Sequence, residues 1–184
     1  MTDINSAPTR AAGPSGPNSG VAAAGTTGDG LVDLIELFFF AYRDFVGDPD
    51  QILAPLGFGR AHHRVLHFVN RNPGMRVTDL LDILRITKQS LGRVLRELVD
   101  EGFVESRAGA SDRRQRLLYP TEKGEALARE FVAIQSRRIS QALEECGPGA
   151  REDARRFLMA MIDREDRASV ERLIQRAERN RRTR

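Results

Sequence analysis

Between Arg85 and Arg96 the chain carries four bases and no acid. Thr87, Gln89 and Ser90 lie among them, neutral groups that can donate to or accept from phosphates and base edges. Acids return only at Glu97, Asp100 and Glu101. On a helix this order opposes the dipole, which favours acids at the N-terminus. Lys88, Arg93 and Arg96 at that end point to an anionic partner rather than to helix stability. A second cluster follows: Arg107, Arg113, Arg114 and Arg116. Arginine forks suit phosphates and the narrow minor groove, where negative potential is enhanced. Asp112, just before Arg114, can hold its guanidinium in a bidentate pair or serve as a turn residue. No Gly-rich phosphate loop and no Gly-x-Ser-x-Gly elbow occurs. The paired acids Asp48 and Asp50 merely flank Pro49. The chemistry expected is binding, not catalysis.

Local signals supply the elements that must carry these clusters. Thr87 is a good N-cap for a helix from Lys88 to Glu101, with Leu91, Val94, Leu95 and Leu98 inward and Gly102 as the stop. Before it, Thr78 suits the cap of a short helix over Asp79 to Leu84. After it the period changes. Phe103 to Arg107 and Arg116 to Tyr119 read as two strands of a hairpin with a polar tip, ended by Pro120. Arg60 to Asn70 shows helical spacing and closes at Asn72-Pro73-Gly74. Thr121 caps a long helix to about Glu145, and further helices follow at Ala150 to Ile162 and around Val170 to Ala177. Arg179 to Arg184 reads as a fraying basic tail. Two short helices, a tight turn and a hairpin spell a winged helix-turn-helix, whose second helix is the candidate major-groove reader.

The chain has 184 residues, 40% of them hydrophobic, enough for about one domain with an ordinary core. The net charge is only +3, yet the pI is 9.6. No window of eighteen apolar residues exists, so no transmembrane helix is expected. No signal pattern opens the sequence, and its one cysteine, Cys146, excludes an intramolecular disulfide. These features point to a reduced, cytoplasmic protein. Residues 1–30 hold six glycines and three prolines with almost no large apolar side chain, and read as a disordered tail. Leu31 to Val46 is apolar on more than one face, with Phe38, Phe39 and Phe40 in a row. Such a helix must be covered, either by its own domain or by a partner subunit. Gly47-Asp48-Pro49-Asp50 reads as the turn that ends it.

The run from Thr78 to Gly124 resembles the MarR family of bacterial transcriptional regulators. The resemblance rests on Val77-Thr78-Asp79-Leu80-Leu81, Ile86-Thr87-Lys88-Gln89-Ser90-Leu91, Leu98-Val99-Asp100-Glu101-Gly102-Phe103-Val104, and Asp112-Arg113-Arg114 followed by Thr121-Glu122-Lys123-Gly124. It implies a mainly α fold with a small β-hairpin wing: a winged helix-turn-helix plus a helical dimerisation region. The segments would be a tail at 1–30, a dimerisation helix and linker at 31–58, a DNA-binding lobe at 59–121, C-terminal dimerisation helices at 122–180 and a basic tail at 181–184. The implied partners are double-stranded DNA and a second copy of the chain, with no membrane. Thr87, Lys88, Gln89, Ser90, Arg93 and Arg96 would read the major groove. Arg107, Asp112, Arg113, Arg114 and Arg116 would form the wing, Asp112 pairing with Arg114. Family members often answer to small aromatic molecules in a cleft, which Tyr42, His62 and Arg64 would line here; no resident cofactor is implied. Two positions depart from the pattern. Arg85 stands where relatives often carry glycine, and Pro120 stands where an apolar strand residue is usual, which predicts an early end to the second wing strand.

His63 and His67 have the i, i+4 spacing of a metal chelate. Arg60, Arg64 and Arg71 oppose a metal there, and no nearby Cys, Asp or Glu completes a set. The expectation is no metal and a partly exposed helix face carrying His62, His63 and His67. Cys146 lies at a helix C-terminus, where a thiolate is disfavoured, which argues against a redox-sensing role. Rival readings are a sequence-indifferent architectural DNA binder and a helical protein-interaction module.

Overall fold

A computed structural model describes residues 28–110, 112 and 114–182. The expected tail up to residue 27, Arg113, and residues 183–184 lie outside the described residues. The chain divides into two units between Leu37 and Phe38.

In the first unit a short 3-10 turn, Gly28–Leu31, leads into α1 (Val32–Leu53). Leu31, Leu34, Ile35 and Leu37 are exposed there.

The second unit contains the rest of α1 and every other element. The turn expected at residues 47–50 is a correction: the helix runs on through it to Leu53. Proline lacks the N–H for an interior helical bond, but packing overrides that loss. Val46, Pro49 and Leu53 are buried on one face. Asp48 pairs with Arg138 at 2.9 Å and Asp50 with Arg60 at 2.9 Å. Within this unit the aromatic stretch of the helix is not buried. Phe39 is 67% exposed, and Phe38, Phe40 and Tyr42 are exposed with it.

α2 (Arg60–Arg71) is the central helix of this unit, packed against α4 and α5. β1 (Met75–Arg76) follows, then α3 (Val77–Leu84) and α4 (Lys88–Asp100). β2 (Val104–Ala108) and β3 (Arg116–Pro120) form the wing. α5 (Glu122–Cys146), α6 (Ala150–Met161) and α7 (Arg167–Arg182) complete the chain. The sheet has three antiparallel strands in the order β1-β3-β2. β1 was not expected; two residues are too short to show alternation. Pro120 does not shorten the wing, since it stands at the last position of β3 opposite Val104, where a missing donor costs little.

Two helix ends also differ from expectation. Thr78 lies inside α3, whose first turn is closed by the Asp79 carboxylate accepting the Arg76 backbone N–H at 3.0 Å. A charged acceptor there satisfies both an orphan donor and the dipole. The C-terminal segment does not fray from Arg179. α7 continues to Arg182, with Ala177 buried and basic residues in the last turn that suit the dipole.

The core gathers Val65, Leu66, Val69, Leu80, Leu91, Leu98, Val104, Leu118 and Phe131. Its tightest seam joins the end of α4 to the start of α5. Thr121 caps α5 by accepting from the Gly124 N–H at 3.1 Å, and its hydroxyl donates to the Gly102 carbonyl at 2.6 Å. The Phe103 carbonyl accepts from the Thr121 N–H at 3.1 Å. A Cβ on Gly124 would lie 2.0 Å from that carbonyl oxygen.

The histidine face is buried at His62 and His63 and partly exposed at His67. His62 and His63 are both buried because α2 is enclosed by α4 and α5. The His63 ring meets Phe131 at 4.6 Å, and its Nε2 has no hydrogen-bond partner. Burial holds His63 below its ordinary value. Burial, with help from His63 and Arg71, pushes His67 down to about 4. Among the described residues no group of three or more His, Cys, Asp or Glu is placed to hold a metal ion, and no helix is long and apolar enough to cross a membrane. Cys146 is exposed.

Two predictions follow from this packing. Gly124→Ala should lower unfolding free energy by about 3 kcal/mol in urea titration, because backbone must shift to admit the methyl group. His67 binds its proton more weakly folded than unfolded, so the unfolded chain takes up more protons as pH falls. Stability should therefore drop as pH falls from about 6.5 toward about 4, by about 2 kcal/mol from this group at about pH 5. Urea midpoints across that range should show a shallower slope for His67→Gln than for the parent.

Candidate nucleic-acid interface

The recognition helix begins where α3 ends. Arg85 closes α3 in the left-handed conformation, at φ 50°, the one non-glycine residue with positive φ among those described. The turn thus keeps the shape that glycine would give, at a local cost of about 1–2 kcal/mol. Its neighbours hold it in place. Arg64 Nη2 donates to the Leu84 carbonyl at 3.0 Å. The Arg85 guanidinium pairs with Asp166 and stands 4.0 Å from Asp163. Thr87 then caps α4 as its sequence predicts, its Oγ1 accepting from the Ser90 N–H at 3.1 Å and donating to Ser90 Oγ at 2.9 Å.

Leu91, Val94, Leu95 and Leu98 are buried on one side of α4. The opposite side leaves Lys88, Gln89, Ser90, Arg93 and Arg96 exposed, together with Thr87 at the cap. All six residues expected to read the groove are therefore accessible. Glu97 modifies it. Its carboxylate accepts from His62 Nε2 at 2.6 Å and from Arg93 Nε at 3.1 Å. These bonds, that from His62 foremost, hold Glu97 below the usual carboxylate range.

The wing arginines divide by role. The Arg107 guanidinium lies 4.5 Å from the Tyr119 ring centroid and pairs with Glu105. Arg116 donates to Ser106 Oγ at 3.0 Å and to the Ser106 carbonyl at 3.2 Å. Both brace the sheet. Arg114 is exposed at the tip. Its expected guanidinium pair with Asp112 is a correction: Asp112 Oδ1 accepts instead from the Arg114 backbone N–H at 2.9 Å. This is the turn alternative. An Asx turn offers the carboxylate a nearby amide that needs no side-chain ordering. Arg113 lies outside the described residues.

The three cleft residues do not come together. Tyr42 is 50% exposed on α1, His62 is buried against Phe58, and Arg64 reaches the α3–α4 turn. A cavity of about 1000 Å³ does border the recognition helix, lined by Phe58, Arg60 and His62 on one side and Gln89, Arg93 and Arg96 on the other. Tyr42 and Arg64 are not among its lining residues.

Sequence reasoning missed the join between His62 and Glu97. Arg93 and Glu97 are visible as an i, i+4 pair. His62, far away in the chain, gives no local sign of meeting them. Asp163 and Asp166 at the Arg85 turn were missed for the same reason.

Comparison with known proteins agrees with this architecture. The MarR family profile matches residues 56–115. The HTH-type transcriptional regulator PetP of Rhodobacter capsulatus is 53% identical over 129 residues, covering 70% of this chain and 78% of that protein. The crystal structure of the transcriptional regulator SlyA superimposes with a TM-score of 0.62 at 20% identity, over 75% of this chain and 99% of that one. A MarR mutant from E. coli, crystallised with operator DNA, gives 0.58 at 19% identity, over 73% and 97%. With a helix-turn-helix whose second helix exposes a basic face, a β-hairpin wing and a relative this similar, the chain belongs to the MarR family and is a winged helix-turn-helix, DNA-binding transcriptional regulator.

Proposed function

We propose that this regulator acts as a cytoplasmic homodimer on a pseudo-palindromic operator. Each subunit lays α4 in a major groove and sets the wing tip at the adjacent minor groove. Thr87, Lys88, Gln89, Ser90, Arg93 and Arg96 meet phosphates and base edges, and Arg114 enters the minor groove from a wing braced by Arg107 and Arg116. It acts by binding alone and catalyses no reaction. The observation that carries this reading is the two-sided α4, with four buried apolar residues behind and Lys88, Arg93 and Arg96 exposed in front.

The dimer is supported by apolar side chains that the single chain leaves in solvent. Phe38, Phe39 and Phe40 on α1, and Phe157, Leu158 and Met161 on α6, are each 45% exposed or more. Apolar exposure on this scale marks an interaction surface. A small aromatic effector is the remaining part of the proposal. The cavity beside α4 supports it, because a molecule held between His62 and Arg93 would touch the reading helix directly.

Fluorescence anisotropy with DNA from upstream of the protein's own gene, against a random duplex at two salt concentrations, tests the reading. Specific, steeply salt-dependent binding is expected. Equal affinity for both duplexes would favour a sequence-indifferent architectural role, and no binding at low salt would favour a protein-interaction module. Arg114→Ala should weaken operator binding by about 1–3 kcal/mol with an unchanged melting temperature. Parental affinity in that variant would remove the wing from the interface.

A further inference from the structure

The buried ring of His62 is anchored twice before it reaches α4. It stacks on Phe58, with centroids 4.4 Å apart and planes 5° from parallel. The Gly59 backbone N–H donates to its Nδ1 at 3.1 Å. A neutral imidazole that accepts at Nδ1 carries its hydrogen on Nε2. That hydrogen is donated to Glu97 Oε2 at 2.6 Å, and Glu97 Oε1 accepts from Arg93 Nε at 3.1 Å. The relay starts on a backbone amide at the head of α2 and ends on the recognition helix.

The edge of the guanidinium that Glu97 uses is informative. It is the Nε edge, so the terminal fork of Nη1 and Nη2 remains outward on a side chain that is 77% exposed. The terminal fork can make a bidentate contact to O6 and N7 of guanine. A carboxylate that merely sequestered Arg93 would occupy that fork. Glu97 instead removes rotamer freedom from Arg93 while leaving its reading edge open, and both of its own oxygens are engaged.

We propose that His62, acting through Glu97, pre-aims Arg93 at a guanine in the major groove. His62 is then a positioning residue, and Arg93 a residue that determines specificity. The inference rests on α4 being the groove reader.

The test uses the full-length protein and a set of operator duplexes in which each G·C pair of a half-site is replaced in turn by A·T. The parent should lose roughly tenfold or more at one such pair, and Arg93→Ala should be indifferent there. Glu97→Ala removes a surface acid, so its overall affinity should hold or rise, yet its preference at that pair should fall below about threefold. His62→Phe keeps a ring against Phe58 and should lose the same preference. His62→Gln restores an N–H donor at the Nε2 end and should retain most of it. A merely structural histidine would change melting temperature and overall affinity without singling out one base pair. Should His62→Phe fail to fold, Glu97→Ala decides. Full preference in Glu97→Ala and His62→Phe overturns the relay. Full preference in Arg93→Ala overturns the assignment of Arg93, while intact operator binding leaves the regulator reading standing. Indifference of the parent to every replacement overturns both.

Discussion

The interaction on which the exposed basic surface depends is the seating of α4 on the core by Leu91, Val94, Leu95 and Leu98. Burying one such side chain contributes about 1.5–3 kcal/mol. The Thr87 cap contributes about 1 kcal/mol, and exposed ion pairs contribute little to stability. Packing therefore decides which way the helix faces. Capping decides where it begins, and ion pairs only adjust side chains already aimed. The same seating places Glu97 at the edge of the apolar stripe, within reach of His62 on α2. A quarter turn of α4 would bury Arg93 or expose Leu95, so the basic surface and the apolar stripe are two consequences of one register.

Features encoded in a few adjacent residues were legible in the sequence. Thr87 and Thr121 cap their helices as their types predict, and Gly102, at φ 70°, ends α4. The wing strands were found because their period and turn residues are local. What escaped was non-local. Pro49 broke a helix on paper but not in the fold, because its burial with Val46 and Leu53 outweighs one lost backbone bond. β1 exists only because β3 is there to pair with it. Asp79 displaced Thr78 as the acceptor at the start of α3 because a carboxylate is the stronger partner for a helix N-terminus. The residue types on the exposed basic face of α4 were visible in sequence, whereas the contact from His62 to Glu97 and the clasp on Arg85 join segments far apart in the chain.

Arg85 shows how a departure from the family pattern can be absorbed. Glycine would enter the left-handed conformation without cost. Arginine does not, but it brings a guanidinium that pairs with Asp166 at the entry to α7, near Asp163. The turn that launches the recognition helix is thereby tied to the C-terminal helices as well as to Arg64 of α2.

These pairings share an electrostatic logic. A surface that binds a polyanion should not present unpaired acids, since each would repel phosphate. Yet acids do lie close to the basic clusters, and three of them are matched to an arginine: Glu97 to Arg93, Glu105 to Arg107, Asp166 to Arg85. Because such exposed pairs add little to stability, their value is geometric. A long, flexible arginine loses rotamer freedom when it binds DNA. A carboxylate that has already restricted it lowers that loss and largely cancels its own repulsion by sitting against the cation. The net charge of +3 therefore understates the basic character of the surface. Arg85, Arg93 and Arg107 are each held in position by an acid beside them.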